Sequence, residues 1–431
     1  MDILVIGAGG REHALVYGLN KSPSADKIYI TPGNGGLDKC AINAGINSDN
    51  FDEVIAFCKK KNIYLVVVGP EAPLVDGITD ALEAEGIKVF GPNKYASQIE
   101  GSKQFMKDLV VKYGVPTAEY EKFSDADSAK EYIREKGAPI VVKTDGLAAG
   151  KGVTVAQTID EALNAVDEMF GGKFGDSGKK LVIEEFLDGE EASFFAICDG
   201  KMAVAFGSAQ DHKAVGEGDT GPNTGGMGTY SPTPVVNSDM EKRIFNELVK
   251  PVIEGMAKDG TPYKGVIFAG VMIDKNGEPK LLEYNVRFGD PECQVLMRRF
   301  EGDFADILLK AAEGNLSKLS ENNIKFSDKT AICVVMAAKG YPESYNKGTA
   351  INNIEISEAI DDVVVFHAGT KYSGDQLVAN GGRVLGVTAL DDDIISAQTS
   401  VYEAAALIDW QDGFYRRDIG WRAAKRIKIA S

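Results

Sequence analysis

The run Leu281-Leu282-Glu283-Tyr284-Asn285-Val286-Arg287 has the residue types and spacing to hold a phosphate-bound cation. Side chains two apart on a strand share a face, which brings Glu283, Asn285 and Arg287 together. A carboxylate and an amide oxygen are hard donors suited to Mg²⁺, with phosphate oxygens and water completing the octahedron. A solvated strand face would use the same residues, so the pair gains weight only beside a second polyphosphate signal. Asp145-Gly146-Leu147-Ala148-Ala149-Gly150-Lys151-Gly152-Val153 is such a signal, following one apolar run and opening another. It is not a Walker loop, which needs GxxxxGK and a hydroxyl residue ahead of a helix. Its glycines let backbone amides fold over a polyphosphate, and Lys143 and Lys151 supply positive charge. An ordinary hairpin turn would need fewer glycines.

A third glycine cluster, Gly7-Ala8-Gly9-Gly10-Arg11-Glu12, matches a dinucleotide fingerprint at its first two glycines but has Glu12 where the third belongs. The second apolar run ends in Thr31-Pro32-Gly33-Asn34-Gly35-Gly36 rather than in a ribose-binding acid. Both departures argue against an NAD oxidoreductase. A helix N-terminus suited to one phosphate and glycine turns serving only topology remain as alternatives. His13, His212 and His367 are isolated in sequence and read as surface or internally satisfied histidines rather than as a zinc triad.

The elements that must position these residues fall into three groups. Ile3 to Ile6, Lys27 to Ile30, Leu65 to Val68 and Lys88 to Phe90 are short apolar runs separated by helical stripes, the pattern of a parallel α/β sheet. Phe51, Val54, Ile55 and Cys58 form one stripe, and Leu74, Ile78, Ala81 and Leu82 a second. After Gly91-Pro92-Asn93 comes a helix bearing Phe105, Met106, Leu109 and Tyr113, then a hairpin-rich stretch with strands at Ile140 to Lys143, Val153 to Ala156, Leu181 to Phe186 and Ala192 to Cys198. Ser208 to Pro234 reads as a long functional loop. Gly265 to Ile273 and Pro279 to Asn285 read as a hairpin through Asn276-Gly277, followed by helical signal from Gln294 to Glu313. Beyond the polar stretch Gly314 to Lys329, strands at Ala331 to Ala337, Val363 to His367 and Arg383 to Thr388 imply a small α+β unit, and the basic tail Phe414 to Arg422 reads by composition as a solvated helix. The expected domains are 1–101, 102–327 and 328–431.

The chain has 431 residues, 44% hydrophobic and 26% charged, enough for several packed cores and far from a disordered composition. No apolar stretch approaches the roughly 20 residues that cross a bilayer, and the N-terminus has no secretory pattern. Five scattered cysteines without a CxxC pair argue against a disulfide framework. A cytoplasmic protein without a membrane partner is expected. The net charge of −17 is a poor match for nucleic acid but leaves room for a local positive pocket that takes small anions.

The order of these motifs resembles the ATP-grasp superfamily, and segment by segment its phosphoribosylamine–glycine ligase (glycinamide ribonucleotide synthetase) family. The carriers are Gly7 to Leu15, Pro32 to Gly36, Gly69 to Gly77, Lys143 to Val153, Glu184 to Glu191, Asn223 to Gly228, Glu283 to Glu292 and Gly381 to Thr388, in that order along the whole chain. The resemblance implies an N-terminal α/β substrate domain, a central ATP-grasp domain with a lid subdomain at about 121–188 whose flap is Gly146 to Gly152, and a small C-terminal α+β domain. It also implies ATP as co-substrate. Lys103, Lys143, Gly146, Gly150, Lys151 and Gly152 would lie at the phosphates, Glu184, Glu185, Phe186 and Leu187 at adenine and Glu190 at ribose. Glu283 and Asn285 would hold Mg²⁺ or Mn²⁺, and Arg287 would face the transferred phosphoryl group, with Lys213 and Glu292 as further catalytic candidates. Gly9, Gly10, Arg11, Glu12, Asn34, Gly35, Gly36, Glu71, Asp211, Pro291 and Arg383 would surround glycine and the ribose phosphate, although Arg383 equally suits a structural ion pair. The implied reaction joins glycine to 5-phosphoribosylamine through glycyl phosphate, in a monofunctional monomer or dimer that touches the enzyme supplying phosphoribosylamine only transiently. Another carboxylate–amine ligase of purine synthesis and a non-catalytic nucleotide-binding module are the alternatives.

Overall fold

The computed structural model describes residues 1–147, 152–173, 175–320 and 323–430. Strands β1 (Ile3–Gly7), β2 (Ile28–Pro32), β3 (Ile42–Asn43), β4 (Leu65–Val68) and β5 (Val89–Phe90) make a parallel sheet in the order β3-β2-β1-β4-β5. Leu4 and Ile6 enter one core, Ile3 and Val5 another. A sheet covered on both faces explains why these strands read as unbroken apolar runs. The helix Phe51–Lys61 buries Val54 and Cys58 and is capped by Asn50, whose side chain accepts from the Glu53 amide. The stripe expected as one helix from Leu74 to Leu82 is two, Glu71–Asp76 and Ile78–Ala84. Gly77, at φ +100°, ends the first in a left-handed conformation, yet Leu74, Ile78 and Leu82 still share one core.

Strands β6 (Tyr120–Phe123), β7 (Ile140–Thr144), β8 (Val153–Ala156) and β9 (Leu181–Glu185) form a separate antiparallel sheet in the order β6-β9-β7-β8. Its core of Phe123, Ile133, Val142, Ile183 and their neighbours belongs to this unit alone. The N-terminal sheet, by contrast, shares two cores with the central strands, so it cannot shift without repacking them.

The remaining strands are β10 (Gly189–Asp199), β11 (Ala203–Asp211), β12 (Ala214–Gly216), β13 (Thr220–Asn223), β14 (Gly228–Ser231), β15 (Lys264–Asp274), β16 (Pro279–Asn285), β17 (Thr330–Ala338), β18 (Val363–His367), β19 (Thr370–Ser373), β20 (Gln376–Ala379), β21 (Arg383–Asp391) and β22 (Gly413–Phe414). One large antiparallel sheet runs β16-β15-β10-β11-β14-β17-β21-β18, with β22 on β17 and two small ribbons, β12–β13 and β19–β20, beside it. The polar stretch 314–329 leads into β17, which pairs with β14, so the sheet spans both sides of that stretch. Ser208 to Pro234, expected as a loop, instead carries the end of β11, the β12–β13 ribbon and β14. Close approach requires glycine at Gly228, where a Cβ would stand 2.7 Å from the Cys333 carbonyl.

The β15–β16 hairpin turns where expected, with Gly277 at φ +78°. The helical signal from Gln294 to Glu313 resolves into Glu292–Arg299 and Phe304–Ala312, the second capped by Asp303. The tail is not a solvated helix from Phe414. Its helix begins at Trp421, and Arg416 is buried, bonded to Asp418 at 2.8 Å, Asp219 at 3.0 Å and the Ala214 carbonyl at 2.9 Å. Composition could not reveal Asp219 as its partner from 197 residues away. All five cysteines are unpaired. Among the described residues no helix is long and apolar enough to cross a membrane.

Candidate active site

A cleft of about 400 Å³ lies between the four-stranded sheet and the large one. Most of the residues singled out from sequence line it: Arg11, Glu71, Lys103, Lys143, Gly146, Gly152, Glu184 to Leu187, Asp211, Lys213, Glu283, Asn285, Arg287, Glu292 and Arg383. Gly150 and Lys151 lie outside the described residues. Val141, Val155, Phe186, Leu187, Met272 and Leu282 give the lining an apolar part beside its many charged residues.

Lys143 on β7 sits 2.9 Å from Glu184 on β9 and donates to the Leu282 carbonyl at 3.3 Å. Glu184 therefore turns its carboxylate into the protein. Lys103, on the helix Lys103–Lys112, donates to the Gly146 carbonyl at 3.3 Å, and burial pushes its ammonium below the ordinary range. Asp145 accepts from Ser102 Oγ and the Gln104 amide, pinning the start of the glycine loop to that helix. Gly146 has φ +113°, and a Cβ there would meet Ser177 Oγ at 2.7 Å, so glycine is required on both counts. Glu190 is outside the cleft lining and pairs with Arg426 of the C-terminal helix.

Glu283 and Asn285 project from β16 as alternation requires. Burial would raise the Glu283 carboxyl, but Lys213, Lys103, Lys143 and Arg287 hold it down to about 2. Although ionised, this carboxylate has no hydrogen-bonding or ion-pair partner among the described residues. Asn285 Oδ1 accepts from Arg287 Nη2 at 3.1 Å, while its Nδ2 is buried without a partner. No cluster of three or more His, Cys, Asp or Glu among the described residues could hold a metal alone. The donor set fits a divalent cation that draws most of its ligands from phosphate and water. Arg287 is fixed from several sides: by Glu71 at 3.2 Å, Glu100 at 3.0 Å and the Phe288 carbonyl at 3.4 Å.

Beyond Arg287 lie Asp211, Lys213, Glu292 and Arg383. Lys213 pairs with Glu191. Burial, then the charge of Glu292, pushes the Asp211 carboxyl well up. Burial also raises Glu292, which accepts from Ser193 Oγ at 3.0 Å. Arg383 lines the cleft and stands 3.7 Å from Asp290 while donating to the carbonyls of Gly225, Gly226 and Asp290. Pro291 forms the N-cap of the helix Glu292–Arg299.

The N-terminal loops behave differently. Gly9, Gly10, Glu12, Asn34, Gly35 and Gly36 are outside the cleft lining. Glu12 takes the Gly9 amide at 2.5 Å and Arg11 Nε at 2.6 Å, occupying the helix N-terminus that a phosphate would need. Asn34 donates to the carbonyls of Ala8 and His367 at 2.8 Å, and a Cβ on Gly36 would stand 2.4 Å from the His367 ring. These glycines admit protein side chains. His212 and His367 are buried and His13 is half-buried, and all three are internally bonded: His13 Nδ1 accepts the His367 amide, His212 Nε2 accepts the Gly420 amide, and His367 Nδ1 meets Thr370 Oγ1.

Lys107, Glu100, Asp290 and Glu191 escaped sequence reasoning. Lys107 lies one helical turn after Lys103, a spacing that signals a shared face. Glu100 carries no local signal, and Asp290, although inside the segment Glu283 to Glu292, gives no sign of its role, because their partners Arg287 and Arg383 come from distant segments.

A small antiparallel sheet closing on a larger one, with a lysine-lined cleft between them and, at its floor, a strand ending in Glu-x-Asn with Arg287 in the bend that follows, defines an ATP-grasp enzyme. Residues 101–293 match the ATP-grasp (A) domain of phosphoribosylglycinamide synthetase, residues 1–100 its N domain and residues 331–422 its C domain. The chain is 55% identical over 428 residues to the phosphoribosylamine–glycine ligase of Brucella melitensis, covering 99% of each. It is 53% identical to the chloroplastic ligase of Arabidopsis thaliana, covering 98% of this chain and 80% of that one. The crystal structure of the Thermotoga maritima ligase superposes with a TM-score of 0.83 at 31% identity, over 97% of this chain and 100% of that one. Biotin carboxylase from Campylobacter jejuni has the same fold at a TM-score of 0.71 and 16% identity, over 97% of this chain and 93% of that one. The chain belongs to the phosphoribosylglycinamide synthetase family. It is a ligase of purine biosynthesis, and membership carries use of ATP and dependence on a divalent metal.

Proposed function

We propose that this chain joins glycine to 5-phosphoribosylamine, consuming ATP, and works in the cytoplasm as a monomer or dimer. A carboxylate is a poor acyl donor because its oxygen leaves badly. Here the glycine carboxylate attacks the γ-phosphorus of ATP, giving glycyl phosphate and ADP. The amine of phosphoribosylamine then attacks the carbonyl carbon, and the C–O bond to phosphate breaks. Inorganic phosphate leaves, the amine gives up a proton, and glycinamide ribonucleotide remains.

In this reading Lys103, Lys143, Gly146 and Gly152 hold the phosphates, the backbone of Glu184 to Leu187 borders adenine, and Arg287 faces the phosphoryl group in flight. Glu283 and Asn285 would hold the metal, Mg²⁺ or Mn²⁺, which would neutralise charge on the nucleotide phosphates. Arg11, Asp211, Lys213 and Arg383 surround glycine and the ribose phosphate, and Glu292, its carboxyl raised by burial, accepts the amine proton. Residues 1–101, 102–327 and 328–431 act as substrate-binding, nucleotide-binding and C-terminal units, and the β6–β9 sheet, with a core of its own, serves as the lid. The instability of phosphoribosylamine favours transient contact with the enzyme that makes it.

One observation carries the reading: Glu283, an ionised carboxylate with no hydrogen-bond or ion-pair partner among the described residues, shares a cleft with Lys103, Lys143 and Arg287. The test is turnover with glycine labelled in its carboxylate with oxygen-18. One labelled oxygen per turnover should appear in inorganic phosphate. Unlabelled phosphate during full turnover would rule out the acyl phosphate.

A further inference from the structure

The side chain of Lys107 is fully buried, an arrangement that strongly disfavours an ammonium unless partners compensate. Its Nζ stands 3.2 Å from Glu184 Oε1 and donates to Thr117 Oγ1 at 2.8 Å, which in turn donates to the Leu281 carbonyl at 2.8 Å. The other oxygen of Glu184 is 2.9 Å from Lys143, whose ammonium reaches the Leu282 carbonyl. One carboxylate thus lies between two ammonium groups, and the array is tied at both ends to β16, the strand carrying Glu283. Lys143 lines the cleft and Lys107 does not.

The charge balance decides what Lys107 does. A carboxylate 2.9 Å from Lys143 would by itself cancel most of the attraction that lysine exerts on a phosphate. With Lys107 present the array carries one net positive charge, and without it none. We propose that Lys107 is a positioning residue of the nucleotide site, its ammonium offsetting Glu184 so that Lys143 faces the nucleotide phosphates as an uncompensated cation. This rests on the reading of the cleft as an ATP site. A merely structural buried pair would need one lysine, and here the second lysine points into the cleft.

The surroundings also make the array titratable. Burial pushes the Lys107 ammonium down to about 8, against the pull of Glu184 and Glu185 and with the added repulsion of Lys143. The Tyr120 ring lies 5.0 Å away. Above that pH the array loses its net charge, so nucleotide affinity should fall.

The test is ADP binding by calorimetry, in Mg²⁺, alongside ATP KM, kcat and Tm, for wild type, K107R, K107M and K107M/E184Q. K107M should weaken ADP by about tenfold or more, the scale of a lost charge-assisted contact, with the KM for glycine little changed. K107R should recover most of the loss. K107M/E184Q, which restores the single positive charge of Lys143, should bind ADP more tightly than K107M. Wild-type affinity should decline above pH 8 and K107R should not. ADP affinity in K107M equal to wild type, or a double variant no better than K107M, overturns the role of Lys107 and leaves the site reading intact. Should K107M fail to fold, matching pH profiles for wild type and K107R overturn it as well. A wild-type protein that does not bind ADP overturns both readings.

Discussion

Glu12, in the first turn of the helix that follows β1, and Glu283, on β16, are both acidic side chains in segments that carry signals of phosphate binding, and they end in opposite states. Glu12 is closed in by its own chain: the Gly9 amide, Arg11 Nε, and the bare backbones of Gly7 and Gly69 pressed against it. Glu283 has four cations around it and a hydrogen bond from none. A buried charge satisfied within the chain holds structure together, and one left unsatisfied is reserved for a ligand. The glycines around Glu12 read in sequence like a phosphate loop because glycine is demanded equally by a ligand and by a neighbouring side chain.

The comparison predicts where substitutions hurt catalysis and where they hurt folding. The largest effect belongs to the Glu283 side. Arg287→Ala should lower turnover by about a hundred- to a thousandfold, the scale of losing one donor to developing charge, with ADP affinity little changed. Steady-state kinetics beside calorimetry would check it, and near-normal turnover would take Arg287 out of the reaction. On the Glu12 side the damage should appear in stability. A Cβ on Gly69 would stand 2.1 Å from Glu12 Oε1, so Gly69→Ala should cost about 1–3 kcal/mol from overpacking, read as a lower midpoint in urea. An unchanged midpoint would mean that Glu12 can move aside and that the two carboxylates differ less than their contacts imply.

The smallest effect concerns the packing of the N-terminal loops on the C-terminal unit. Burial, then His367, holds His13 down to about 3, and burial holds His367 down to about 4, so both are neutral when folded. Unfolded, each takes up a proton near its ordinary value of about 6.5. The unfolded chain therefore binds more protons below that value, and stability present above pH 6.5 should be lost as pH falls toward 4. His13→Gln should flatten the fall of Tm over that window, while an unchanged slope would place the acid sensitivity elsewhere.

Much of this was legible in advance, for reasons that differ by region. The strands of the parallel sheet were readable because burial on both faces leaves only apolar residues to choose from, and the cleft floor because β alternation puts Glu283 and Asn285 on one face whatever lies around them. The break at Gly77 and the strands within Ser208 to Pro234 were not readable. Each depends on a backbone conformation or close approach that glycine permits without announcing. Lys107 escaped because a lysine at helical spacing is usually a solvated one.

The order of chemical groups along the chain, the local elements that carry them and the family they indicate were settled by the sequence alone, since periodicity and motif spacing act over a few residues. Which charged groups are closed off and which remain open was decided by tertiary structure. Glu12 against Gly69, Asn34 against His367, Arg416 against Asp219 and Lys107 against Glu184 are partners brought together from distant segments. The free energy of a buried charge depends on the neighbours that reach it and the water that is excluded.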